Sequence, residues 1–311
     1  MKRLLTAACF CIALPMIAQT VTSPTPIPCS AGSCLATGIN DDGTIVGGYT
    51  PTGAASGTYQ AFVIRAGTFI TPNVMSLLPP LGGGATSVTA VQLSSLNDSE
   101  AMVGDADGNN LRAGFLCSSW NASGENFCSV VQMPGAFRFW PNDISNNGAI
   151  VGYASTAAGA VGFLLDTDGV FRSIAYPDAA GTGAYGINDS GQIVGGYSDF
   201  LDNSHGFLYD PYTLPGRSAR GEIHDGRYVT LDPPGSTFTS AESINDSGIV
   251  VGFYSDSGGH DHGFVYKAEK FTTFDYPGAT NTEIFHISNN GRIVGGAFLS
   301  GVFTSYTAQV Q

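Results

Sequence analysis

Six times along this chain a tight polar turn leads into a short β-branched segment, and that recurrence constrains the fold more than any other feature. The clearest copy is INDSGQIVGGY, residues 187–197. Asn188 can hydrogen-bond the backbone that follows it and start the turn. Gly191 can take the left-handed conformation that closes it. Ile193 and Val194 then begin a strand rich in β-branched residues. The other copies are INDDGTIVGGY from Ile39, LNDSEAMVGD from Leu96, ISNNGAIVGY from Ile144, INDSGIVVGFY from Ile244 and ISNNGRIVGGA from Ile287. Val46, Val103, Val151, Val194, Val251 and Val294 recur at intervals of 57, 48, 43, 57 and 43 residues. Short strands repeating every roughly 40–50 residues are the signature of a β-propeller.

The rest of each interval has the same order. After a variable loop comes an apolar strand centred on phenylalanine: QAFVIR (60–65), AGFLC (113–117), VGFLLD (161–166), HGFLYD (205–210), HGFVYK (262–267) and GVFTSY (301–306). A further strand follows in five repeats, beginning at Thr68, Phe127, Val170, Arg227 and Lys270, and ends near proline, which cannot donate to a ladder. The hairpin, the Phe strand and this last strand predict four antiparallel strands, a to d, per repeat. One such sheet cannot cover both its faces, whereas packing repeats around an axis does. The predicted fold is therefore an all-β, six-bladed β-propeller of four-stranded antiparallel blades, forming one domain over residues 19–311. The sixth repeat lacks a d strand. Residues 23–28 precede the first hairpin at nearly the spacing by which residues 272–277 precede the sixth. They are predicted to supply the missing strand and remove a free edge.

Residues 1–18 read as a secretory signal: Lys2 and Arg3, an apolar run from Leu4 to Leu14, a break at Pro15 and a small residue at Ala18. That run is too short to span a bilayer. Its removal leaves four cysteines, an even number in an exported chain. Of the three possible pairings the local one is simplest, predicting disulfides Cys29–Cys34 and Cys117–Cys128. Lys+Arg 12 against Asp+Glu 25 gives a net charge of −13. Nucleic-acid phosphates call for the opposite balance. The expected location is secreted or extracellular, the bacterial periplasm included, and the expected state is a monomer.

These repeats resemble the extracellular repeats of the HAF family, found mostly in bacterial exported proteins. The family pattern joins a Gly-Gly segment, an IN-x-x-G-x-VVG hairpin and His-Ala-Phe. Here it is matched by residues 81–84, the six hairpins, and His205-Gly206-Phe207 or His262-Gly263-Phe264, with the middle alanine only at Gln60-Ala61-Phe62. The resemblance covers nearly all of the chain after the signal. It implies structure and no established reaction. The Gly-Gly pairs also resemble kelch repeats, without the Tyr and Trp of that pattern.

Candidate chemistry is sparse. His260 and His262 stand two apart, so in an extended strand both could reach one metal; His262 occupies the same repeat position as His205, where a structural role suffices. DADGNN, 105–110, is part of a calcium loop without its terminal acid, and a polar turn explains it better. Asn97, Asn121, Asn188 and Asn245 head glycosylation sequons, three of which are simply the repeat's turn. Asp143, Glu242, Glu283 and His286 are irregular polar residues beside strand a, where an axial acid–base pair would lie. There is no GxSxG, phosphate loop, HExxH or redox CxxC. No cofactor is expected. The sequence thus favours a secreted noncatalytic binding or scaffold protein for a protein or glycan ligand. The alternative is a carbohydrate-active hydrolase or lyase with acids at the mouth of the axis.

Overall fold

The computed structural model describes every residue except 1–18, 23, 30–31, 56, 73, 75–87, 109–110, 119–127, 158 and 212–226. The expected signal, the Gly-Gly segment at 81–84 and the sequon at Asn121 lie outside the described residues.

The protein is all-β and propeller-like. Its strands fall into six antiparallel sets of four. The first is β2 (Gly32–Ile39), β3 (Ile45–Pro51), β4 (Gln60–Arg65) and β5 (Thr68–Ile70). The second is β6 (Ala90–Leu96), β7 (Met102–Gly108), β8 (Leu111–Cys117) and β9 (Cys128–Val131). The third is β10 (Ala136–Ile144), β11 (Ile150–Thr156), β12 (Gly159–Leu165) and β13 (Phe171–Ile174). The fourth is β14 (Gly181–Ile187), β15 (Ile193–Ser198), β16 (Ser204–Asp210) and β17 (Arg227–Leu231). The fifth is β18 (Phe238–Ile244), β19 (Val250–Ser255), β20 (Asp261–Lys267) and β21 (Lys270–Phe274). The sixth is β22 (Thr282–Ile287), β23 (Arg292–Leu299) and β24 (Val302–Gln309), with β1 (Thr25–Pro26) from the other end of the chain as its fourth strand. Single parallel pairings, Arg138 with Arg112 and Ser204 with Phe238, tie the second set to the third and the fourth to the fifth.

The repeated Val-Gly of the second strand has a steric cause. Gly195 lies opposite Phe207 on β16. A Cβ there would stand 2.0 Å from the Gly183 carbonyl and 2.9 Å from the Phe207 ring. The same pairing sets Gly47 against Phe62, Gly104 against Phe115, Gly152 against Phe163 and Gly252 against Phe264. In the sixth set the register corrects the sequence reading. Tyr306, not Phe303, lies opposite Gly295, because the long β23–β24 hairpin carries Phe303 out to pair with Phe298. The Tyr306 hydroxyl donates to the Glu283 carbonyl at 2.9 Å, which satisfies the extra polar atom at a fully buried site.

The valine of each Val-Gly is buried between sets. Val46 packs with Leu93 and Phe115 of the second set, Val103 with Phe139 and Phe163 of the third, and Val151 with Ile187 and Phe207 of the fourth. Val194 packs with Ala241 and Phe264 of the fifth, Val251 with Ile284 and Tyr306 of the sixth, and Val294 with Ile39 and Phe62 of the first. Each set thus covers a face of the next, and the sixth covers the first.

The hairpin turns are joined in the same order, which explains their two spellings. In five of the turns the residue two after the leading aliphatic donates its amide to the side chain at the same position of the next turn: Asp41 to Asp98, Asp98 to Asn146, Asn146 to Asp189, Asp189 to Asp246 and Asp246 to Asn289, at 2.7–2.9 Å. The Asn290 amide returns to Asp41 Oδ1 at 2.8 Å. In the Asn-Asp turns the leading asparagine caps its own turn through Oδ1 and spends its NH2 on the next turn's carbonyl, as Asn188 does on Asn245. In the Ser-Asn-Asn turns the serine is too short for the second task, and the second asparagine performs it: Asn147 donates to the Asp189 carbonyl and Asn290 to the Asp41 carbonyl. Five turns close on a glycine with positive φ; the sixth uses Glu100 at φ 58°, paired with Arg65.

The N-terminal segment pairs with β24 as its spacing implied. Thr25 and Pro26 register with Thr307 and Tyr306, the Thr22 and Ile27 amides donate to Gln309 and Ser305, and Thr20 exchanges hydrogen bonds with Gln311. Both expected disulfides are present, with Cα separations of 5.9 Å for Cys29–Cys34 and 4.0 Å for Cys117–Cys128; they suggest an oxidising compartment. No helix of the described residues is long and apolar enough to cross a membrane. Removal of residues 19–28 discards these hydrogen bonds and the burial of Ile27, about 3–5 kcal/mol in all. Calorimetry should show a melting temperature about 10 °C below that of residues 19–311; equal melting would deny the segment a structural role.

Candidate functional site

The first strands of the six sets, β2, β6, β10, β14, β18 and β22, touch in sequence, and β22 touches β2. Each carries a β-bulge two residues before the hairpin, where its register with the second strand slips by one residue. The bulged residues are Thr37, Ser94, Asn142, Tyr185, Glu242 and Phe285. A bulge turns two consecutive side chains toward one side instead of alternating them. All six bulged residues line one cavity of about 300 Å³, within the range of small-molecule sites. Leu35, Gln92, Tyr153, Ser240 and His286 complete it.

The residue after the bulge is small in four strands, because neighbouring strands come close there. A Cβ on Gly38 would stand 2.9 Å from the Ser95 Cα, and one on Gly186 would stand 2.7 Å from the Ser243 Cα. The two exceptions are Asp143 and His286, and they meet. His286 Nε2 lies 3.4 Å from Asp143 Oδ1 and 3.1 Å from Ser95 Oγ, which itself donates to Asp143 at 2.6 Å. With Nδ1 accepting from the Ile39 amide at 3.4 Å, the ring proton sits on Nε2, aimed at this pair. Asp143 also accepts from the Ile144 and Ile187 amides, each at 2.9 Å. The clasp therefore ties β2, β6, β10, β14 and β22. Ser243 Oγ, accepting from the Ile287 amide at 3.3 Å, links β18. Burial works against the Asp143 carboxylate, but His286, Ser95 and the Ile187 amide outweigh it and hold the group below the ordinary carboxylate range.

Above this floor the carboxyls behave oppositely. Burial pushes Glu242 up to about 7; its hydrogen bond from Ser240 opposes this and the neighbouring Glu283 adds to it. Glu283 is likewise raised to about 7 by burial and by Asp261. Of the four residues singled out from sequence, two thus form a floor clasp and two stand as high-pKa carboxyls beside it. Sequence reading missed the rings of Tyr153 and Tyr185, 6.4 Å apart and nearly perpendicular, and Trp140 stacked on Tyr153 at 4.5 Å. For Tyr185 and Trp140 the signal available was position, two and four residues before the hairpin's first aliphatic residue; Tyr153 lies on the second strand, two residues after its valine.

The other candidates are engaged in structure. Asp105 and Asp107 lie on β7 and hold Arg112, at 3.4 Å and in a two-point bond respectively; the guanidinium caps the Trp140 ring at 5.5 Å. Burial still raises Asp105 to about 6 against the pull of Arg112. Asn109 and Asn110 lie outside the described residues. β20 begins at Asp261, so His260 sits in the preceding turn, exposed and 3.7 Å from Asp256. His262 bonds Asp275 at 2.8 Å and Asp256 at 3.4 Å and stacks on Tyr254. His205 repeats the arrangement with Asp232, Asp199 and Tyr197. Among the described residues no three His, Cys, Asp or Glu are grouped to hold a metal ion.

No protein-family model matches the chain, and no curated protein matches it. Similar folds occur among solved structures. TolB from Acinetobacter baumannii is 12% identical, over 88% of this chain and 67% of that one, with a TM-score of 0.54. The PQQ-bound aldose sugar dehydrogenase from Streptomyces coelicolor is 10% identical over 94% and 99%, with a TM-score of 0.51. A mutant of AofleA from Arthrobotrys oligospora is 8% identical over 93% and 86%, with a TM-score of 0.50. At these identities the likeness is one of fold.

Two outcomes test this geometry. Asp143→Ala leaves the Ile187 amide and the His286 proton unmatched in a buried site, at a cost of about 3 kcal/mol, and should lower the melting temperature by about 6–12 °C. Because the folded-state value of Asp143 is depressed, that advantage is full above the ordinary carboxylate range and fades as pH falls through the depressed value. Glu242 has the opposite sign. Between pH 4.5 and about 7 the folded state keeps a proton that the unfolded state has lost, so this group's contribution to stability falls as pH rises. Glu242→Gln should therefore stabilise the protein by about 1–2 kcal/mol more at pH 8 than at pH 5 in paired denaturant melts. A pH-independent effect would contradict the assigned environment.

Proposed function

We propose that the chain is a closed six-bladed β-propeller of the HAF type, secreted to an oxidising compartment, and that it works as a noncatalytic binding module. The observation that carries the binding reading is the cavity lined by all six bulged residues. It combines hydrogen-bonding groups, Glu242 among them, with the rings of Tyr153, Tyr185 and Phe285, and no Lys or Arg of the described residues lines it. Apolar rings with a few placed polar groups are the usual lining of a small-ligand site. Ring closure is supported by the unbroken succession of valine contacts, turn hydrogen bonds and first-strand contacts from the first set to the sixth and back. The lining positions lie toward the starts of the first strands, away from the hairpin turns and on the end that carries the loops before the first and third strands. Tyr59, Phe137, Phe238 and Phe298 are exposed at strand ends on that side, and give a partner chain or a glycan additional apolar contact.

A second reading, a hydrolase or lyase, is favoured by one specific observation: Glu242 and Glu283 are raised to about 7 while Asp143 is lowered. Separated carboxyl pKa values mark acid–base pairs in enzymes. The binding reading ranks first because Asp143 is buried and already accepts from Ser95, His286 and two amides.

Residues 19–311 on a glycan array and in a ligand-capture assay should retain a ligand. Tyr185→Ala should weaken that retention about tenfold or more, in line with a buried aromatic anchor, and soluble polysaccharides should remain uncleaved. Turnover that vanishes in Glu242→Gln or Glu283→Gln would replace this reading with the enzyme.

A further inference from the structure

Taken with that binding reading, on which it rests, the lining of the axial cavity also specifies a ligand class: we propose that the site takes a sugar bearing a free amine, with its ammonium against Glu242 and its apolar face on the aromatic rings. Three features argue for this together. First, Glu242 has one hydrogen-bonding partner among the described residues, Ser240, and among those residues no Lys or Arg lines the cavity with it, while His286, which does, is held by Asp143 and Ser95. A ligand ammonium supplies the missing countercharge. Second, the rings of Tyr153, Tyr185 and Phe285 line the same cavity. Electron-rich ring faces attract cations and also pack against the C–H face of a pyranose. Third, Gln92 and Ser94 line the cavity and make no side-chain hydrogen bond to the described residues. A simple alkylammonium has nothing to offer them, whereas a polyhydroxylated ring does. The volume of about 300 Å³ suits one such residue, free or at the end of a chain.

The titratable groups facing Glu242 are Tyr185 on β14, Tyr153 on β11, and Glu283 and His286 on β22. His286 is committed to the floor clasp with Asp143 and Ser95, so the cavity's local field is that of two carboxyls and neutral phenols. An ammonium favours their ionised forms, and its binding therefore weakens where Glu242 is protonated.

The test is calorimetric titration of residues 19–311 with glucosamine, N-acetylglucosamine and methylammonium at pH 7 and pH 5. Glucosamine should bind at least about tenfold more tightly than N-acetylglucosamine at pH 7, and should lose about tenfold in affinity at pH 5. Glu242→Gln, an isosteric change whose folding is checked by its melting curve, should abolish the preference for the amine. No detectable glucosamine binding, equal or tighter binding of N-acetylglucosamine, or a preference that survives in folded Glu242→Gln would overturn the proposal. Methylammonium binding as tightly as glucosamine would overturn its sugar component. If the array retains only neutral glycans or a protein through Tyr185, the binding module stands and the amine assignment fails.

Discussion

The buried valine between consecutive sheets is the contact on which the rest of the structure depends. A four-stranded sheet of this size has two apolar faces and cannot cover either alone. Here each sheet offers a valine from its second strand to one neighbour and receives a valine from the other, and each such side chain is fully excluded from water. The glycine that follows the valine is a consequence. It lets a phenylalanine ring lie flat across the sheet from the third strand, filling the space that the twist opens between neighbours. A stack with an uncovered end would expose Val294 and the faces of Ile39 and Phe62. The pairing of β1 with β24 brings the two ends of the chain together, so that these residues cover one another.

That packing has a cost at the centre. Six first strands in close contact place glycine or serine after the bulge in four of them, and a floor made solely of such residues would leave backbone amides without partners. Asp143 and His286 resolve this from opposite sides. Each extends into the space that the small residues leave, and between them they take up the Ile39, Ile144 and Ile187 amides. The floor is polar, saturated and structural. Glu242, Tyr153 and Tyr185 stand apart from this clasp and line the cavity.

Much of the outer architecture was legible in the sequence because it is made of residues with strong local preferences. Asn-Asp-Ser-Gly turns, β-branched second strands, Phe-centred third strands and prolines at strand ends each announce themselves. The first strands do not. GTGAYGI and GSCLATGI, at 181–187 and 32–39, are small, polar and glycine-rich, since neighbouring first strands come close there. Only their last aliphatic residue was visible as part of a hairpin. The candidate residues Asp143, Glu242, Glu283 and His286 were found because they are irregular polar residues beside the first strand of their repeats. The aromatic lining was missed because position alone does not give direction: Tyr185 is turned by a register slip that only the paired strand reveals, and Tyr153 lies on a second strand. The exchange of Phe303 for Tyr306 was missed for the same reason, a hairpin longer than its five counterparts.

The two turn spellings carry a further message. Reading round from the first set, the order is Asn-Asp, Asn-Asp, Ser-Asn-Asn, and then the same three again. The strands that lead into the Ser-Asn-Asn turns are the ones that bear Asp143 and His286. The sequence thus runs as two groups of three repeats, and the two residues that meet are each other's counterparts in that order. Identical halves would place two acids or two imidazoles there, each repelling or failing to satisfy the other. Divergence at a single pair of related positions gives the clasp an anionic member and a proton-donating member, so it has one orientation and not two.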